Sequence, residues 1–97
     1  MTEPPTDRLP PGDDCYVYIL GCETPRGWRT YVGWTTDLER RVAVHNAGKG
    51  ARSTRGRQWV LLYAERHPTR PLAMRREWYL KRDRRLRKAV VAGFGGL

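Results

Sequence analysis

The chain has 97 residues, enough for one small domain with a thin core. Its 39% hydrophobic and 30% charged content exclude a disordered chain, and no apolar run approaches the roughly 18 residues of a membrane span. Nineteen Lys+Arg against 10 Asp+Glu give a formal net charge of +9, a field that attracts polyanions, nucleic acid first among them.

Residues 1–14 carry four prolines and four acidic groups and read as a mobile N-terminal arm. They hold no apolar signal region, so a cytoplasmic location is expected. The run 15–22, C-Y-V-Y-I-L-G-C, is the strongest strand signal. Alternation puts Tyr16, Tyr18 and Leu20 on one face and Val17 and Ile19 on the other. Two apolar faces predict a covered, central strand. Cys15 and Cys22 fall on opposite faces of such a strand, so reduced thiols are expected rather than a bridge. They are too few for a zinc site.

Residues 23–29 form a turn around Pro25 and Gly27, and 30–34 return as an antiparallel strand. Thr36 reads as the N-cap of a helix over 36–47, with Glu39 completing a capping box. Asp37 and Glu39 place negative charge in its first turn, where the helix dipole favours it. Leu38, Val42 and His45 share one face, and Arg41 and His45 are neighbours one turn apart. Gly48 is the expected residue after the helix C-cap. The stretch 48–57, G-K-G-A-R-S-T-R-G-R, reads as a surface loop whose glycines allow close backbone approach and whose Lys49, Arg52, Arg55 and Arg57 contact phosphate.

Residues 58–66 are the third strand, and Thr69-Arg70-Pro71 opens a helix. Ala73, Glu77 and Leu80 share a face of it, so a carboxylate sits in an apolar stripe. The segment 81–88, K-R-D-R-R-L-R-K, either extends that helix or forms a second one. Its Lys81, Arg82, Arg84 and Arg85 join the set expected to contact phosphate. The folded domain is expected over 15–92, with 93–97 a loose tail. The four tryptophans read as core or rim residues, with Trp28 in the turn and Trp34 beside the Y-V-G of residues 31–33 the ones open to exposure.

The order is strand, strand, helix, strand, helix, with Tyr18, Tyr31, Arg41, His45 and Glu77 as the marked polar residues. In that order the chain resembles the GIY-YIG endonuclease superfamily, and its small single-domain members in particular. Y-V-Y (16–18) stands in place of G-I-Y, and Y-V-G (31–33) in place of Y-I-G. T-T-D-L-E-R-R…H-N-A-G-K-G-A-R-S-T-R-G-R and L-A-M-R-R-E-W follow, so the likeness covers residues 15–82. It implies an α/β (α+β) fold, a three-stranded antiparallel sheet flanked by helices, and metal-dependent hydrolysis of a phosphodiester. It also implies the roles. Tyr18 and Tyr31 become an active-site pair, Arg41 the phosphate clamp, His45 an accessory histidine, and Glu77 the single carboxylate for Mg²⁺ or Mn²⁺. Arg41 and the metal are expected to lower a tyrosine pKa toward the working range. DNA is the expected substrate, with RNA left open and a protein partner a candidate source of specificity. Three departures stand out: Tyr16 replaces the first glycine, no asparagine follows Glu77, and no second domain is expected to supply target recognition. The competing readings are a nucleic-acid-binding module that keeps the fold without cleavage, with Glu77 paired to Arg41, and a nuclease subunit that cuts only with a partner.

Overall fold

The computed structural model describes residues 14–95. Its elements are β1 (Cys15–Thr24), β2 (Gly27–Thr35), α1 (Leu38–Asn46), a 3₁₀ turn (Arg52–Thr54), β3 (Val60–His67), α2 (Arg70–Arg82) and α3 (Arg84–Gly95). The strands form one antiparallel sheet in the order β2-β1-β3. β1 is therefore central, which is why both of its faces are apolar. On one face Cys15, Val17 and Ile19 bury themselves with Val32, Ala73 and Leu80, under α2 and α3. On the other Tyr18, Leu20 and Cys22 pack with Trp59, Tyr31, Leu38 and Val42, under α1. Cys15 and Cys22 are buried free thiols in opposite clusters, as the alternation requires.

The hairpin is tighter than the sequence suggests. β2 begins at Gly27, so Trp28 is a strand residue facing Glu23 rather than part of a loop. The entry to α1 is also shifted by one residue. Thr35 Oγ1 accepts from the Asp37 N–H at 3.1 Å, and Asp37, not Thr36, caps the helix by accepting from the Arg40 N–H at 3.2 Å. With the cap one position later, Glu39 is no longer the partner of a capping box. α1 ends at Asn46 with Ala47 as C-cap, and Gly48 follows at φ 77°, the left-handed conformation that suits glycine.

The basic segment 81–88 breaks into two helices at Asp83 (φ −96°, ψ 81°). Asp83 caps α3 by accepting from the Leu86 N–H at 2.9 Å, and Arg87 donates to the carbonyls of Leu80 and Lys81 at the end of α2. α3 continues to Gly95, so residues 93–95 of the expected tail are helical, and residues 96 and 97 lie outside the described residues. Leu86 and Val90 dock on the core, and Phe94 meets Trp28 edge-on at 6.0 Å. These are contacts at every fourth residue that a tail would lack. The arm expected over 1–14 lies outside the described residues except for Asp14, which pairs with Arg66 at 2.9 Å. Among the described residues, no helix is long and apolar enough to cross a membrane.

Candidate active site

The α1 side of the sheet gathers Tyr18, Tyr31 and His45. The Tyr18 and Tyr31 ring centroids are 6.3 Å apart, and Tyr31 and His45 are 4.9 Å apart. Tyr18 and His45 are fully buried, at 1% and 0% exposure. Tyr18 can stand there only because its cross-strand neighbour is Gly33. A Cβ at Gly33 would lie 2.6 Å from the Tyr18 hydroxyl and 3.0 Å from the Tyr31 ring. The glycine of the second motif is thus a spatial requirement of the two tyrosines.

The hydrogen bonds fix the state of His45. Thr54 Oγ1 donates its one proton to the Ala51 carbonyl at 2.7 Å. It therefore accepts from His45 Nδ1–H, at 2.8 Å. The neutral imidazole then carries its lone pair on Nε2, and the Tyr18 hydroxyl donates to it at 2.9 Å. The chain of donors runs Tyr18 to His45 to Thr54 to Ala51. Burial pushes the Tyr18 hydroxyl up to about 12, overriding the Arg41 guanidinium beside it, which pulls the other way. Burial likewise raises Tyr31 against the pull of Arg41. Burial, assisted by the Arg41 charge, lowers His45 below its ordinary value. The lowered tyrosine pKa expected from Arg41 is thus reversed in the protein alone. Desolvation of a phenolate is the larger effect, and both partners rest neutral.

Three residues of this site are given no role in it by the sequence reading. Thr54 fixes the histidine tautomer. Gly50 packs against the imidazole, and a Cβ there would lie 2.4 Å from Nδ1. Asn46 ties the loop shut, donating to the Trp59 carbonyl at 3.0 Å and accepting from the Trp59 N–H at 2.6 Å. Trp59 in turn donates from its indole to the Thr54 carbonyl at 2.8 Å. The stretch 48–57 is therefore a clasp on His45 with an exposed basic rim, not simply a solvated connector. Lys49, Arg52 and Arg55 are exposed on it and Arg57 half-buried. Gly50→Ala should force the buried ring aside and cost about 1–3 kcal/mol, as overpacking does. Thermal unfolding reads this as a fall of several degrees, and an unchanged midpoint would contradict the clasp.

α2 lies across the other face, with Ala73 and Leu80 buried and Glu77 between them. The Glu77 side chain is 21% exposed and pairs with Lys81 at 3.7 Å, not with Arg41. Its negative charge still reaches both tyrosines and disfavours their phenolates. A second carboxylate on β3, Glu65, is already committed. It takes a two-pronged contact from Arg76 and hydrogen bonds from Tyr63 and His67, which hold it down at about 2. Glu77 is thus a carboxylate whose charge reaches the tyrosines and which, apart from Lys81 at 3.7 Å, retains free acceptor capacity. No group of three or more His, Cys, Asp or Glu that could form a metal cage exists among the described residues. One carboxylate is enough for Mg²⁺, which keeps several of its waters, so the donor set fits that ion. Lys81, Arg82, Arg84 and Arg85 are exposed around the α2–α3 junction. The Arg82 guanidinium lies over the Trp78 ring at 3.7 Å, and Trp78 is 52% exposed, not a core residue.

The sequence matches the GIY-YIG catalytic domain over residues 14–89. A UPF0213 protein of Streptococcus pneumoniae serotype 4 is 46% identical over 74 residues, 75% of this chain and 72% of that one. A UPF0213 protein of Natronomonas pharaonis is 46% identical over 76 residues, 77% of this chain and 86% of that one. The solution NMR structure of a UPF0213 protein from Bacillus halodurans is 41% identical, covering 86% of this chain and 87% of that one at a TM-score of 0.46. With its two tyrosines, its arginine and its glutamate in the matched region, the chain belongs to the GIY-YIG family, a family of nucleases, among the UPF0213 proteins.

Proposed function

We propose that this protein is a metal-dependent endonuclease that hydrolyses phosphodiester bonds in DNA, acting on branched or damaged structures. The observation that carries the reading is the buried Tyr18 hydroxyl aimed at the free lone pair of His45. A tyrosine with a pKa near 12 is no base by itself at neutral pH. It can serve as a relay. As an attacking water gives its proton to Tyr18 Oη, the Tyr18 proton passes to His45 Nε2. The resulting imidazolium keeps its Nδ1–H bond to Thr54. Neither proton leaves the site, and no isolated phenolate has to form.

Arg41, half-buried beside the tyrosines, supplies a permanent charge for the oxygens of the scissile phosphate. Glu77 would hold Mg²⁺ or Mn²⁺, which when bound polarises the phosphate and stabilises the leaving oxygen. Tyr31, stacked near both rings, positions the water or the phosphate at the open side of the relay.

The charge of +9 and the exposed Lys49, Arg52, Arg55, Lys81, Arg82, Arg84 and Arg85 supply the grip on the backbone. Each phosphate contact removed should lower the slope of log affinity on log salt by about one. Arg52→Glu with Arg55→Glu should weaken binding alike for all sequences. Binding that ignores salt would remove the phosphate-contact reading. The deciding experiment incubates the protein with duplex, single-stranded, flap and junction DNA, with Mg²⁺ or with EDTA. Cleavage in Mg²⁺ alone is expected. Steeply salt-dependent binding with no cleavage of any substrate would replace the nuclease by a binding module.

A further inference from the structure

Trp28 is out of place for a packing residue. It belongs to neither buried cluster, although four aromatic residues of the sheet do. The indole of Trp59, a true core residue, donates to the Thr54 carbonyl, whereas the Trp28 N–H has no protein acceptor among the described residues. The ring is nevertheless held in place. Phe94 abuts it edge-on, with the planes at 76°. Gly21 leaves it room, since a Cβ there would lie 3.1 Å from its edge.

Two adjoining concavities share this ring. One, of about 510 Å³, runs between β2 and α3 and is lined by Thr30, Arg84, Arg87 and Lys88. The other, of about 420 Å³, lies at the hairpin and is lined by Arg26, Arg29 and Arg57. Arg87 is engaged with the α2 carbonyls. Arg84 and Lys88, one turn apart and exposed, have no carboxylate at ion-pair distance among the described residues. The size suits a nucleotide, and an aromatic ring lining the same groove as Arg84 and Lys88 matches a base with its phosphate held by cations.

We propose that Trp28 is the stacking platform of a second nucleic-acid site, which takes an unpaired nucleotide of the substrate strand against Arg84 and Lys88. The inference rests on the DNA-cleaving reading above and adds a substrate feature to it. β2 is an edge strand, and Trp28 is three residues from Tyr31, about 10 Å at the rise of a strand. Trp28 and Thr30 face the α3 side and Tyr31 the α1 side. A strand leaving the tyrosines across this edge meets the groove within a few nucleotides. Only an unpaired base offers a free face to the indole, because paired bases already stack on their neighbours.

The test measures affinity in EDTA, by fluorescence anisotropy, for a labelled oligothymidine and for a blunt duplex. Trp28→Ala should weaken oligothymidine binding about tenfold or more, the loss of one base–aromatic stack. Trp28→Phe should retain most of it. Arg84→Glu with Lys88→Glu, both on an exposed helix face, should weaken it without lowering the unfolding temperature. Blunt-duplex affinity should be little changed by either Trp28 variant. Equal oligothymidine affinity for parent and folded Trp28→Ala overturns the proposal. So does an equal loss for the duplex, which would make the groove a general electrostatic patch. If Trp28→Ala does not fold, the Arg84/Lys88 variant decides, and unchanged oligothymidine binding there overturns the proposal. A parent that binds neither probe at any salt instead removes the DNA reading itself.

Discussion

Glu77→Gln should leave the protein folded and able to bind DNA while cleavage in Mg²⁺ falls by at least two orders of magnitude, the scale of several kcal/mol of charge stabilisation. Glutamine keeps the size and the acceptor oxygen and removes only the charge. Little stability should go with it, because the lost ion pair, to a Lys81 that is 48% exposed at 3.7 Å, is worth no more than about 1 kcal/mol. Glu65 cannot take over, since Arg76, Tyr63 and His67 already occupy its oxygens. Arg41→Ala should lose about 10²–10³ in rate by removing a donor to the charged transition state. The two variants separate by their metal response. Raising Mg²⁺ should partly restore a site with a weakened ligand, but not one lacking its guanidinium. A Glu77→Gln protein that cuts as fast as the parent sinks the metal assignment.

What could be read from the sequence was what local periodicity and short motifs encode. β1 was visible because a central strand must be apolar on both faces. Tyr18, Tyr31, Arg41, His45 and Glu77 were visible through the order of the motifs around them. Residues 93–95 were misjudged because glycines 93, 95 and 96 mask a spacing of Leu86, Val90 and Phe94 that runs along one helical face. Three consecutive capping residues, Thr35, Thr36 and Asp37, leave the start of α1 undecided until the Thr35 hydroxyl is seen to take the Asp37 N–H.

The clasp was illegible for a different reason. Gly50, Thr54 and Trp59 act on His45 and Asn46 through contacts that only loop closure creates. The charges around Tyr18 could be counted in the sequence, but its burial could not. Burial is what reverses the direction of its pKa. The sequence reading therefore named Tyr18, Tyr31 and His45, which the fold brings together, and missed what holds His45 in one tautomer.

Tyr18→Phe should reduce cleavage by about 10²–10⁴, the usual contribution of a positioned proton-transfer group. The ring stays in its cluster with Leu20 and Trp59, so packing is kept. His45 Nε2 loses its buried donor, which costs up to about 1–3 kcal/mol. The parent's pH profile tests the same relay from the other end. His45 must be neutral to accept, and its pKa in the fold lies below the ordinary 6.5. Activity should therefore fall as pH drops through that lowered value and stay level above it until other groups titrate. Stability follows the same sign. The unfolded chain protonates this histidine near 6.5 while the native site resists. Stability is thus complete above that pH and declines as pH falls below it, until the native site also protonates. Thr54→Val removes the acceptor for Nδ1–H and favours the tautomer whose proton sits on Nε2, where it blocks the Tyr18 hydroxyl. It should lose activity although Thr54 touches no substrate, whereas Thr54→Ser should keep it. A Tyr18→Phe enzyme as fast as the parent, or Thr54→Val and Thr54→Ser behaving alike, would mean that the proton takes another route.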